Sequence, residues 1–280
     1  MKKLYIIIIA LCCLTLQTEA KKRQLVILHS NDTHSCIEPL NKNLADTMLA
    51  NRGGYLRRVN MIKEQREQYP QLLLLDSGDF SQGSSYYTLF KGDVEIGLMN
   101  LMGYDAATIG NHEFDFGLEN MARIFKMANF PIVCANYDFS GTPVEGIVKP
   151  YVIIKRNGIK IGIFGLSPHL DGLVSKTNYE PVKYLDPVAK AQEMATLLKK
   201  EKKCDLVICL SHLGWETTPI DDIRMIQQTE GIDLVLGGHT HTYFTQLHYV
   251  KDPSGKRVPS EQNGKHGIFI GRLFIDMESK

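Results

Sequence analysis

The stretch Leu72-Leu73-Leu74-Leu75-Asp76-Ser77-Gly78-Asp79 is an apolar run of strand length that stops at a polar loop bearing Asp79. The same pattern recurs on both sides of it. Residues 25–28, Leu25-Val26-Ile27-Leu28, lead into a polar loop over residues 29–35. Residues 106–109 run into Gly110-Asn111-His112, residues 206–210 end at Ser211-His212, and residues 233–236 end at Gly237-Gly238-His239. Short continuous apolar runs bounded by turn residues read as strands buried on both faces. Helical patterns over 55–67, 94–102, 119–128 and 187–201 fall between them, the last with Asp186 as its N-cap. Residues 131–135 and 268–275 read as further strands. Asn157-Gly158, between strands 151–155 and 160–164, reads as a hairpin turn. Strand–helix alternation of this kind predicts an α/β fold.

The chain has 280 residues, 44% hydrophobic and 22% charged, close to the average for globular proteins. That excludes a disordered, collagenous or disulfide-stapled chain. A net charge of +1 argues against nucleic-acid binding by bulk charge. Met1-Lys2-Lys3, an apolar run over 4–16 broken by Thr15, and Thr18-Glu19-Ala20 read as a Sec signal peptide over residues 1–20. The run is shorter than the ~20 residues that span a bilayer, so no stable membrane insertion is expected. Lipidation at Cys12 or Cys13 is disfavoured because neither follows a small residue. The remaining chain, 21–280, is formally neutral and is expected in the periplasm or outside the cell. Its cysteines, Cys36, Cys134, Cys204 and Cys209, have no CxxC spacing and read as free thiols.

Sites in open α/β sheets form beyond the carboxyl ends of strands. The strand-end loops here carry Asp32 and His34, Asp79, Asn111 and His112, His212, and His239 and His241. Any one of these is a common turn or surface residue. Five loops that hold five of the nine histidines are hard to explain by turns. Imidazole and carboxylate suit Zn, Mn, Fe or Co, and an Asp can bridge two ions with its two oxygens. Two divalent metal ions ~3.5–4 Å apart make water nucleophilic and stabilise phosphoryl charge. A structural zinc would need only four ligands, usually with cysteine among them.

Asn31-Asp32-Thr33-His34, Gly78-Asp79, Gly110-Asn111-His112-Glu113-Phe114-Asp115, Ser211-His212 and Gly237-Gly238-His239-Thr240-His241 resemble the metallophosphoesterase motif series. The resemblance is to the 5'-nucleotidase/UDP-sugar hydrolase branch, over residues 25–275. It implies an α/β/β/α sandwich of two facing mixed sheets, with residues 21–280 as the catalytic domain. It further implies that Asp32, His34 and His241 hold one metal, that Asn111, His212 and His239 hold the other, and that Asp79 bridges. His241 stands where some members carry Gln. His112 would face the phosphate as a catalytic group, oriented and kept charged by Asp115. The implied activity is hydrolysis of phosphomonoesters, nucleoside 5'-monophosphates or related nucleotides, by metal-activated water, in nucleotide catabolism. A phosphodiesterase, a sulfur-ester hydrolase and a non-catalytic metal-binding accessory subunit are the alternatives; His112 and Asp115 argue against the last.

Full-length members carry a second, C-terminal domain that selects the nucleotide. The chain ends at Lys280, soon after His241, so a separate chain carrying that domain is an expected partner, beside the small-molecule phosphoester. Asp76, His29, Cys36, His169, His248 and His266 read as packing or surface residues. Trp215 and Tyr243 are candidates for lining a base pocket.

Overall fold

The computed structural model describes residues 23–217 and 219–277. The signal peptide expected over residues 1–20 lies outside the described residues. The first elements are β1 (Arg23–Ser30), α1 (Tyr55–Gln68), β2 (Leu73–Asp76), α2 (Ser85–Phe90), α3 (Asp93–Met102) and β3 (Ala106–Ala107). Next come α4 (Gly117–Met127), β4 (Tyr137–Asp138), β5 (Tyr151–Arg156), β6 (Ile159–Leu166), α5 (Lys176–Tyr179) and β7 (Lys183–Tyr184). The last are α6 (Pro187–Thr196), β8 (Leu206–Ser211), α7 (Asp222–Gln227), β9 (Leu234–Leu236), β10 (His248–Lys251), β11 (Arg257–Glu261) and β12 (Gly271–Met277).

Two sheets carry the fold. One has the order β12-β1-β2-β3, the other β10-β11-β9-β8-β6-β5. β1, β2 and β3 run parallel, as do β6, β8 and β9, while β12 and β5 are antiparallel to their neighbours. Side chains alternate across each strand, which sorts the apolar residues into three layers. Leu25, Ile27, Leu73 and Leu75 meet Ile161, Ile163, Ile208 and Leu210 between the sheets. Val26, Leu28 and Leu74 face outward onto Ile62 of α1, Ile96 and Met99 of α3, and Met121 of α4. Phe164, Val207 and Cys209 face the other way, onto Ala191 and Met194 of α6 and Ile226 of α7. The result is the α/β/β/α sandwich. It also explains why these strands are apolar at every position: both faces of each are covered.

Local signals act where the sequence places them. Asn157 (φ 46°) and Gly158 (φ 74°) form the tight turn between β5 and β6. Asp186 accepts the N–H groups of Val188 (2.8 Å) and Ala189 (3.0 Å) at the start of α6. That helix continues through a π-type turn, Leu197–Glu201. Residues 131–135 depart from the expected strand. The Ala107 N–H donates to Pro131 O, and that of Lys149 donates to Ile132 O. Val133, Cys134 and Ala135 donate to Ala107, Lys149 and Gly165. The segment is extended but changes partner along its length, so no ladder forms. The last strand starts at Gly271 rather than at 268. All four described cysteines are free. Among the described residues no helix is long and apolar enough to cross a membrane.

Candidate metal centre

The carboxyl ends of β1, β2, β8 and β9 meet where the two sheets come together. Ser77, just past β2, ties them: its hydroxyl donates to Leu236 O (2.7 Å), and its carbonyl accepts from His212 Nδ1 (2.6 Å). From the facing sheet, the His239 N–H donates to the Asp32 carboxylate (3.0 and 3.1 Å). The loops from these four strand ends are thereby locked into one cluster.

Three groups of ligand-type side chains result, of which His34, Asp79 and His112 link the other two. In the first, Asp32, His34 and His241 converge. The Nε2 atoms of His34 and His241 are 2.9 Å apart, and Asp32 Oδ1 lies 3.4 Å from His241 Nε2 and 3.8 Å from His34 Nε2. In the second, Asp79, His212 and His239 converge, with Asp79 Oδ2 3.1 Å from His212 Nε2. Ligands around one ion at ~2.1 Å sit about 3.0–3.4 Å from one another, so these separations suit coordination. Asp79 Oδ2 is also 4.0 Å from His34 Nε2, so this one atom faces both sets. Its partner Oδ1 accepts the His112 N–H (2.9 Å).

Two of the donor atoms are left open. Asn111 Oδ1 and His212 Nε2 are buried without a hydrogen-bond partner. Buried polar atoms without partners are costly, and a cation would satisfy both. His212 gives its Nδ1 proton to Ser77 O, which aims Nε2 at the site. Burial alone would lower the His212 pKa, but the Asp79 and Asp32 carboxylates outweigh it and raise it to about 10. His34 and His239 move down, chiefly through burial, His239 to about 4, leaving neutral imidazoles at neutral pH. Two buried carboxylates with the neutral imidazoles of His34 and His239 form a donor set that fits divalent cations, and a cation against His212 Nε2 would take the place of that ring's second proton.

His112 stands at the edge of the cluster, its ring centroid 5.4 Å from that of His34. Its Nδ1 is 3.0 Å from Asp115 Oδ2, and the two side chains are 29% and 31% exposed. Burial would lower the His112 pKa, but the Asp115 hydrogen bond and the Asp79 charge raise it above the ordinary value.

Three contributors have roles that the sequence did not assign. Glu113 is buried under Asp79 and accepts the N–H groups of Asp79 (3.0 Å), Gly110 (2.6 Å) and Ser81 (3.1 Å). Burial, then the Asp79 charge, raises its pKa to about 7. Gly110 is required by contact: a β-carbon there would lie 2.1 Å from Asp79 Oδ1. His266 donates its N–H to Asp32 O (2.7 Å) and brings its ring to 6.0 Å from that of His34. Asp76 turns away from the cluster to the Ser30 hydroxyl (2.6 Å). Trp215 packs on Phe244 and His248, whereas Tyr243 is 47% exposed and stacks on Phe269.

A family model described as calcineurin-like phosphoesterase matches residues 25–243. The snake venom 5'-nucleotidase of Gloydius brevicauda is 33% identical over 287 residues, covering 96% of this chain and 48% of the relative. The 5'-nucleotidase of Bos taurus is 34% identical over 249 residues, covering 87% and 42%. The crystal structure of a 5'-nucleotidase precursor from Thermus thermophilus superposes with a TM-score of 0.82 at 30% identity, covering 92% of this chain and 52% of that one. The chain spans about half the length of the curated relatives it matches.

Proposed function

This chain belongs to the calcineurin-like phosphoesterase family, and from that premise we propose that it is an exported phosphomonoesterase acting on nucleoside 5'-monophosphates or related nucleotides. The observation that carries the reading is the pair of ligand-type sets that share Asp79 Oδ2, with the His112–Asp115 pair beside them.

Asp32, His34 and His241 would hold one divalent ion, and Asn111, His212 and His239 the other, with Asp79 common to both. Such ions supply Lewis-acid stabilisation of phosphoryl oxygens and a nucleophilic water at neutral pH. His112 keeps Nε2 clear of the Asp115 hydrogen bond, so that nitrogen can donate to a phosphoryl or leaving-group oxygen. Asp115 fixes the ring orientation and favours its charged form. Glu113 holds the Asp79 and Gly110 backbone, so the shared carboxylate keeps its position. The match covers only half of the relatives. We place selection of the leaving group in a second domain that a separate chain could supply.

The test is elemental analysis of the pure chain, reconstituted with Zn, Mn, Fe or Co, beside phosphate release from AMP and an aryl phosphate. Close to two ions per chain are expected, both weakened in Asp79→Ala. One ion or none, or activity that survives strong chelation, would overturn the reading. N-terminal sequencing of secreted protein should start near Lys21; an intact Met1 would remove export from it.

A further inference from the structure

A cavity of about 810 Å³, lined by none of the ligand-type residues, lies where the start of α1 faces the loop between β11 and β12. Arg58, in the first turn of α1, lines it. Its side chain is only 3% exposed, and Nε, Nη1 and Nη2 all lack a hydrogen-bond partner. Its near neighbour is the Tyr55 ring, 4.3 Å from the guanidinium carbon to the centroid. Arg52, Arg57 and Arg272 line the same space, and among the described residues none of the four arginines forms an ion pair. The one acid in the lining, Glu261, has its Oε2 3.5 Å from His29 Nδ1 and without a hydrogen-bond partner. Asp76 lies within electrostatic reach of Arg58, but its oxygens are taken by Ser30 and the Gly78 N–H.

Two independent features point the same way. Helix α1, 14 residues long, begins at Gly54 with no side-chain cap and no acidic residue in its first turn. The Tyr55 amide donates to Ile37 O (2.9 Å), and the positive partial charge of the amides that follow meets no acidic side chain in the first turn. Opposite, Gly267 leaves the guanidinium its room: a β-carbon there would lie 1.9 Å from Arg58 Nη2. A buried, uncompensated guanidinium is costly unless something pairs with it, and its planar fork matches an oxyanion.

We propose that this cavity is an anion site for a phosphate-type oxyanion, inorganic phosphate or the phosphoryl group of a monoester, held by Arg58 and the first-turn amides of α1. The other three arginines add the charge that favours a doubly charged ligand. The site stands apart from the reading of the metal centre and does not depend on it.

Inorganic phosphate is the probe, titrated calorimetrically into the chain treated with a chelator, so that no divalent ion competes for it. One phosphate per chain is expected, with affinity at least ~10-fold weaker in Arg58→Met, which keeps bulk and removes the fork. Circular dichroism checks that this buried variant folds. The exposed pair Arg57→Gln and Arg272→Gln, which leaves the buried guanidinium in place, should weaken binding several-fold and decides the matter if Arg58→Met does not fold. No phosphate binding by the parent, or parental affinity in the folded variants, would overturn the proposal.

Discussion

Asp32, His34, Asp79, His239 and His241 all hold left-handed backbone, with φ between 43° and 75°. For residues with a β-carbon that conformation costs about 1–2 kcal/mol each, and it persists only where the surroundings enforce it. Here they do: Asp32 N–H donates to Gly78 O (2.9 Å), and His34 N–H to Asp79 O (3.0 Å). The strain turns the side chains of consecutive loop residues toward one point. His112 and Asp115 carry no such strain. They form an ordinary i, i+3 pair on a short 3-10 turn, so replacing them should leave the rest of the site intact. His112→Asn is expected to keep its metal and to lower kcat by roughly 10²–10⁴-fold, with Asp115→Asn lowering it less. Metal analysis and turnover, measured side by side, check this; loss of metal in His112→Asn would make His112 a ligand instead. These residues were readable in the sequence because each sits in a short motif at a strand end. The roles of Glu113, although it lies within one of those motifs, and of His266 were not. Glu113 acts by accepting three backbone N–H groups and His266 by donating one, and contacts of that kind depend on which loops the fold brings together.

At the level of elements, the adjacent ends of β1 and β2 are joined by a buried polar relay. Asp76 accepts from the Ser30 hydroxyl (2.6 Å), which also meets Tyr104 OH (2.7 Å), and from the Gly78 N–H (2.9 Å). Burial raises the Asp76 pKa from 3.8 to about 7. The folded state therefore holds this proton more tightly than the unfolded chain does. Its contribution is full below pH ~4 and is lost as pH rises through about 7, a difference of about 4 kcal/mol at most. Asp76→Asn can keep both hydrogen bonds, with its oxygen toward Gly78 and its amide toward Ser30. In chelator throughout, it should match the parent in urea unfolding at pH 4.5 and exceed it at pH 7.5. An equal loss at both values would show that the carboxyl is needed ionised. The long strands and four main helices were legible because burial on both faces, or on one stripe, leaves a direct imprint on the sequence. β10 and β11 left none. β10 buries only Val250, β11 contains Pro259, and the two exist through pairing with each other and through the pairing of β11 with β9.

For the whole molecule, the proposed function has the ligand-type sets hold the phosphoryl group and leaves discrimination of the leaving group to other surfaces. Trp215 is engaged in packing, and Tyr243 offers one exposed ring. Stacking a base is worth ~1–3 kcal/mol, one to two orders of magnitude in affinity. The chain alone is expected to process AMP and a plain aryl phosphate with similar kcat/KM, and a preference for AMP should emerge when the second domain is added as a separate chain. A strong AMP preference by the 280-residue chain alone would place a base pocket within it. The division of the sets between the sheets matters in another way. Asp32, His34, Asp79 and Asn111 stand on loops of the four-stranded sheet, and His212, His239 and His241 on those of the six-stranded sheet. Between the sheets lies an aliphatic layer, whose cohesion has no preferred direction. Under lateral load the two plates could slip past each other at little cost to that layer, yet any slip would pull both sets apart. Ions seated there would act as pins through the two plates, turning easy shear into the stretching of coordinate bonds.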